Sequence, residues 1–437
     1  MSVQEKNGML AVLERETQLH EAELRFDGRR RKVGLFCGPL CALLVLLLPI
    51  AGISLAAHKL LAIVTLISLW WITEPIPIPI TSLLGPTLAV LMGVVPVGTA
   101  FAAFANPMIF LFMGGFMLAK AMMLHGLDRR FAFGLLSMSW VGSDPVRIGL
   151  ASALCSGWVS NTATAAMMFP IAIGLLEAIR EMMAANGKEI NLSQYKYATG
   201  LMLMTAYAAS IGGVLTPIGT PPNLIMLGFL EQMAGLHVSF FDWMVWGGAA
   251  MVLYFLIACF FLHRMFPADV RRIEGAEGFI AERLRELGPW TRGQKNTLLA
   301  FLTAVTLWVL PGILSLLLGA DSPVLKLYNQ LFPESVVAIF GGLLLFFLPV
   351  DRKAGQYTLS WREAADGIEW GTLILFGGGL AMGGMMYKTG LSQWVGDLLV
   401  TSLGGEPSEV VMVAVFCVMA LLLSELTSHT AATNMIG

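Results

Sequence analysis

The chain has 437 residues, with 27 Lys and Arg against 29 Asp and Glu and a formal net charge of −2. Only 13% of its residues are charged and 57% are hydrophobic, whereas roughly a quarter of the residues of a soluble domain are charged. That balance excludes an ordinary soluble protein and points to an all-α polytopic membrane protein with lipid around it, while the near-neutral net charge says little about other partners and no nucleic-acid partner is expected.

In chain order, the first 32 residues are charged and predict a cytoplasmic amphipathic helix. Apolar spans are expected at about 33–56, 59–73, 81–98, 105–124, 196–233, 241–265, 297–319, 331–350 and 370–388. The first, "VGLFCGPLCALLVLLLPIAGISLA", starts too deep in the chain and is too long for a secretory signal. Two further apolar segments, 147–181 and 409–437, carry small polar knots at their centres, Ser160-Asn161-Thr162 and Ser428-His429-Thr430. All five cysteines (Cys37, Cys41, Cys155, Cys259 and Cys417) lie in apolar segments and read as small hydrophobes rather than disulfides or metal ligands.

Lys and Arg in short loops set orientation. Arg29 to Lys32 place the N-terminus inside. Arg129 and Arg130, the basic loop with Arg271, Arg272, Arg283, Arg285, Arg292 and Lys295, and then Arg352 and Lys353 also fall inside. The count closes only if 147–181 enters and leaves on one side, as Arg147, Arg180 and Lys188 agree, which makes it a re-entrant hairpin with Ser160-Asn161-Thr162 at its tip.

The chain also repeats itself. "LFMGGFMLAKAMMLHGL" (111–127) matches "LFGGGLAMGGMMYKTGL" (375–391), and "SGWVSNTATAAMM" (156–168) matches "SELTSHTAATNMI" (424–436). In this topology the members of each pair run in opposite directions. Inverted repeats with broken helices are an architecture of secondary transporters, whose substrate site lies where the repeats meet.

A hairpin tip has two helix ends. Carbonyls at the end of the first arm suit a cation, and amides at the start of the second suit an anion. Ser160 and Thr162 add hydroxyls, Asn161 adds a carbonyl and an amide donor, and Ser156, four residues before Ser160, is expected one turn back on the same arm. "GGVLTPIGTPPN" (212–223) cannot be one continuous helix, because its prolines and glycines break the span and free carbonyls for an ion.

"SNTATAAMM", "GTPPN", "FANPMIFLFMGGFMLAKAMMLHGLDR", "WITEPIPIPITSLLGP" and "WGTLILFGGGL" together resemble the divalent anion:sodium symporter family, the solute carrier 13 type, over most of the chain from about residue 60. The resemblance implies an inverted-repeat secondary transporter with two re-entrant hairpins, an elevator-type scaffold plus transport domain, and a homodimer. Its substrate would be a small divalent anion, a C4-dicarboxylate such as succinate, malate or fumarate, or in some branches sulfate, with Na⁺ as the coupling ion. It implies a first sodium site of Ser156, Ser160, Asn161 and Gly219, with the anion at Ser160, Asn161 and Thr162 and with Thr220 and Pro221 close by. Ser428, His429 and Thr430 would meet the anion from the second tip, and Ser424 and Thr427 would belong to a second ion site.

The domain organisation so implied is an N-terminal helix (1–32), scaffold spans (33–145), the first hairpin and broken helix of the transport domain (146–233), a last span of the first repeat (234–266), a linker (267–296), scaffold spans of the second repeat (297–390) and the start of a second hairpin (391–437). The sequence departs from the family's pattern twice. His429 stands where the second tip usually repeats Asn, and a protonated imidazole, favoured by Glu425 if the arm stays helical, could replace the second sodium. That leaves a sodium-independent exchanger or a proton-coupled carrier open. The second half also ends nine residues after Ser428, before any counterpart of "GTPPN", so the sequence reads as a fragment.

Neither tip carries Lys or Arg, so co-bound sodium is expected to neutralise the anion. No "HExxH" or Walker A sequence is present, and "GGMMYKTG" lacks the Gly at the required spacing, so no enzyme is expected. The alternative from another class is an anion channel.

Overall fold

The computed structural model describes residues 3–138, 144–185, 187, 191–192, 195–267, 276–402, 405 and 407–436. Lys188, Arg271 and Arg272, used above for orientation, lie outside the described residues. The chain folds into two compact units. One comprises Met1–Asn106, Gln232–Gly235 and Trp370–Gly437, and the other Pro107–Glu231 and Leu236–Glu369. This grouping differs from the scaffold and transport segments expected above, because 107–145 joins 146–231 while 391–437 joins the N-terminal spans.

The first unit begins with α1 (Val3–Leu47), α2 (Leu55–Thr73), α3 (Ile78–Leu91) and the short α4 (Val97–Phe101). α1 is unbroken, so the charged N-terminal stretch and the first apolar segment are one helix rather than a helix followed by a span of 33–56. α2 starts at Ser54, whose hydroxyl accepts the amide of Ala57 at 3.1 Å. It stops at Glu74, which takes a left-handed φ of 51° directly before Pro75. The carboxylate of Glu74 stands 3.8 Å from Arg30 of α1. α3 is 14 residues long, about 21 Å at 1.5 Å per residue, and too short to cross an apolar core of about 30 Å. The expected span 81–98 is therefore a short helix followed by a turn.

The second unit contains α5 (Pro107–Leu124), α6 (Leu127–Leu136), α7 (Asp144–Ser156), α8 (Asn161–Ala185), α9 (Lys196–Gly212), α10 (Pro221–Ala234, as far as Glu231), α11 (Phe240–Met265), α12 (Ala276–Glu286), α13 (Arg292–Leu318), α14 (Pro323–Leu331), α15 (Glu334–Phe347) and α16 (Trp361–Gly367). A two-stranded antiparallel hairpin, β1 (Pro349–Asp351) and β2 (Gln356–Tyr357), precedes α16 with Pro349 opposite Tyr357. α13 starts in a capping box, in which the Thr291 hydroxyl accepts the Gln294 amide and the Gln294 side chain accepts the Thr291 amide. The expected span 196–233 is two helices, α9 and α10, separated by eight non-helical residues.

The chain then returns to the first unit with α17 (Trp370–Thr389), α18 (Leu391–Ser402), α19 (Glu409–Leu426) and α20 (His429–Ile436). Among the described residues, six helices are long and apolar enough to cross a membrane, or seven if α14 and α15, bent by 51°, count as one span.

The two glycine-rich segments matched in the sequence occupy equivalent places in the two units. Gly114 of α5 lies against the backbone of Ala338 in α15, where a Cβ at 114 would stand 2.3 Å from the Ala338 carbonyl carbon. Gly378 of α17 lies against Ser82 of α3, where a Cβ would stand 2.5 Å from the Ser82 carbonyl oxygen. In both cases a glycine helix is pressed onto a 14-residue helix, the close approach that small residues allow where apolar helices have no hydrophobic drive to associate.

Because backbone cannot move aside as a flexible side chain can, Gly114→Val is expected to cost at least about 1–3 kcal/mol. It should lower the melting temperature in detergent, and an unchanged melt would show that the α5–α15 contact does not support the unit.

Candidate ion and anion site

The first tip is built where α7 stops. Ser156 is the last residue of α7, and Gly157 to Ser160 are not helical before α8 begins at Asn161. Ser156 is thus not one turn behind Ser160 on a continuous arm. The break turns it toward the start of the next helix, where its hydroxyl donates to Asn161 Oδ1 at 2.7 Å. Ser160 caps α8: its hydroxyl accepts the amide of Ala163 at 3.3 Å, and its carbonyl accepts that of Thr164 at 2.9 Å.

The loop between α9 and α10 interlocks with this tip. Thr216 donates its hydroxyl to the Gly157 carbonyl. Asn223, buried at the start of α10, donates from Nδ2 to the carbonyls of Gly213 at 2.8 Å and Thr216 at 2.9 Å. Two glycines hold the space between the loops. A Cβ on Gly213 would lie 2.3 Å from Asn161 Oδ1. A Cβ on Gly219 would lie 2.6 Å from the Gly213 carbonyl oxygen and 3.1 Å from that of Gly157. Side-chain and carbonyl oxygens of Ser156, Asn161, Gly157 and Gly213 are therefore gathered at the end of α7, a neutral oxygen set of the kind a hard monovalent cation takes. Among the described residues there is no group of three or more His, Cys, Asp or Glu that could hold a metal ion.

Ser160, Thr162, Gly219 and Pro221 line a cavity of about 460 Å³, within the usual range of about 300–1,000 Å³ for small-molecule sites. Trp158, a tip residue, lines it too. Its ring packs edge-on against Phe301 at 5.2 Å and stacks with Phe240 at 6.4 Å, and Phe240 stacks on the buried Trp308 at 4.6 Å. Asn161 and Thr220 do not line the cavity. Asn161 belongs to the oxygen cluster instead.

The second tip lies in the other unit. α19 ends at Leu426 and Thr427 is extended, with φ −145°. The Thr427 hydroxyl donates to the carbonyl of Trp71 at the end of α2, at 2.8 Å. Ser428 caps α20 as Ser160 caps α8, its hydroxyl accepting the amide of Ala431 at 3.2 Å. Ser424 donates to the carbonyl of Leu421 at 2.8 Å, and Asn434 Nδ2 donates to the carbonyl of Thr430 at 2.9 Å. His429 is exposed at the start of α20. The arm does not stay helical through Thr427, so Glu425 and His429 are not a helical i,i+4 pair, and no ion pair joins them.

A family model described as the sodium:sulfate symporter transmembrane region matches residues 31–436. The chain belongs to that family. Among its relatives, a sodium-dependent dicarboxylate transporter SdcS of Staphylococcus saprophyticus is 35% identical over 410 residues, covering 92% of this chain and 76% of the relative. SdcS of Staphylococcus aureus strain USA300 is 33% identical over 414 residues with the same coverage. This member of the symporter family is accordingly a multi-pass membrane transport protein and not an enzyme.

Sequence reading singled out the tip and the proline-rich loop of this symporter-family chain but missed the groups joining them. The Gly157 and Gly213 carbonyls carry no side-chain signal. Asn223 stood in plain view as the last residue of "TPPN", where a buried amide beside broken backbone is the expected way to satisfy freed carbonyls.

Asn223→Ala would leave two carbonyls of the interlock without their donor, at an expected cost of about 1–3 kcal/mol. A thermal melt of the purified variant measures it, and a melting temperature equal to wild type would mean that water replaces the amide.

Proposed function

We propose that this protein imports small dicarboxylates by coupling their entry to sodium. The observation that carries the reading is the juxtaposition of the Ser156–Asn161–Gly157–Gly213 oxygen cluster with the cavity lined by Ser160, Thr162 and Pro221. The names of the relatives support sodium and dicarboxylate over sulfate. Sodium at the cluster and the anion in the cavity would share the tip through Ser160 and Asn161, adjacent in the chain, so that binding of one favours the other.

The equivalent places of α5 on α15 and α17 on α3 support an inverted-repeat origin in which each unit draws elements from both halves. On this reading α7 with α8 and α19 with α20 are re-entrant hairpins and the transport domain moves in an elevator fashion within a homodimer. The N-terminus would be cytoplasmic, in the cell's inner membrane. Ser424, Thr427, Ser428, His429 and Thr430 would form the second half-site, where His429 replaces a carboxamide. An exposed imidazole there favours a second reading at that half-site, in which a proton does the work of one sodium.

Labelled succinate uptake into proteoliposomes with an inward sodium gradient tests the proposal. Asn161→Ala is expected to reduce uptake at least about ten-fold, the loss of one charge-assisted contact, and to remove its dependence on sodium. Full sodium-driven uptake by Asn161→Ala would sink the shared site. His429→Asn separates the two readings of the second tip: a shifted pH profile of uptake assigns the imidazole a charge-carrying role, and an unchanged profile removes that role.

A further inference from the structure

No Lys or Arg stands in either tip, yet the cavity at the first tip is not without a cation. Lys120, on the last turns of α5, lines it together with Ser160 and Thr162. We propose that Lys120 is the fixed positive charge of the anion cavity and sets its preference for doubly over singly charged anions. The inference rests on the reading of this cavity as the anion site and adds a specificity residue to it.

Lys120 is half-buried, and its stem is held by backbone. Gly367, at the end of α16, sits directly against it, and a Cβ there would lie 2.5 Å from Lys120 Cγ. A pinned stem leaves the ammonium few places to go. Among the described residues no carboxylate lies within ion-pair distance of it, so it keeps its three donors for a ligand or for water.

Three acidic groups surround it. Asp366 and Glu369 also line the cavity but are exposed, where water and salt screen them. Glu363 is close enough to feel the Lys120 charge, but its carboxylate is taken up by the Ser360 amide at 2.8 Å and hydroxyl at 2.7 Å in the capping box that starts α16. With Lys120 half-buried and Asp366 and Glu369 exposed, the Lys120 charge is the one an anion in the cavity would sense most strongly. A singly charged ligand that satisfies the tip would gain little from it. A second carboxylate on the same ligand would gain a charge-assisted hydrogen bond.

The test compares sodium-driven uptake of succinate and of its monomethyl ester by wild type, Lys120→Met and Lys120→Arg in proteoliposomes. Methionine preserves the unbranched stem against Gly367 and removes the charge, while arginine keeps the charge. The expected result for Lys120→Met is a KM for succinate raised about ten-fold, the worth of one charged hydrogen bond, with little change in the ester's KM and with kcat retained. Lys120→Arg should restore most of the preference. A Lys120→Met protein with the wild-type KM ratio would overturn the proposal. So would Lys120→Arg as impaired as Lys120→Met on succinate, since that would make the stem's shape, not its charge, the cause. Failure of wild type itself to take up succinate would instead overturn the dicarboxylate reading, and this inference with it, so the two failures are told apart by the wild-type arm.

Discussion

Broken backbone inside an apolar protein must find partners for every freed amide and carbonyl, and the structure around the first tip follows from that requirement. The end of α7 and the end of α9 both release carbonyls, and the loop between α9 and α10 with the start of α10 supplies donors to both: Thr216 for Gly157, and Asn223 for Gly213 and Thr216. The glycines at 213 and 219 are the steric condition for this exchange, because any side chain there would enter the oxygen cluster. On the proposed reading, backbone satisfaction and ion ligation would thus fall to the same atoms. A carbonyl has two lone pairs, so one that accepts a protein donor keeps capacity for an ion.

The tip is also held from behind. Trp158 reaches into an aromatic group with Phe240, Phe301 and Trp308, and Trp308 donates its indole N–H to the carbonyl of Glu334 at 3.0 Å. The polar residues of Ser160-Asn161-Thr162 stand on a rigid apolar base, which keeps their hydroxyls and amide near one geometry without help from charged neighbours.

Much of this was legible in the sequence, because the signals are chemical. Small polar residues amid an apolar run marked both tips, prolines and glycines marked the break between α9 and α10, and the duplicated glycine pairs marked α5 and α17. What could not be read were features that depend on where a helix stops. Helical periodicity continued through Gly157 puts Ser156 one turn behind Ser160, and continued through Thr427 it would set Glu425 against His429. In both cases the helix ends first. Lys120 escaped notice for another reason. It lies about 40 residues from the tip in sequence, inside an apolar segment rich in glycine and methionine, and only tertiary structure brings it to the cavity.

The two tips share one construction detail, a serine whose hydroxyl accepts the amide three residues on: Ser160 to Ala163 and Ser428 to Ala431. The cap, and not the residue after it, fixes the local turn. Position 161 or 429 can then be exchanged without rebuilding the backbone, as Asn at one and His at the other illustrate. On the reading proposed for the two tips, a lineage built on such a turn can revise what powers it by a single codon in one half while the other half goes on working, which would give ion usage an evolutionary freedom that the surrounding helices, locked glycine against backbone, do not have.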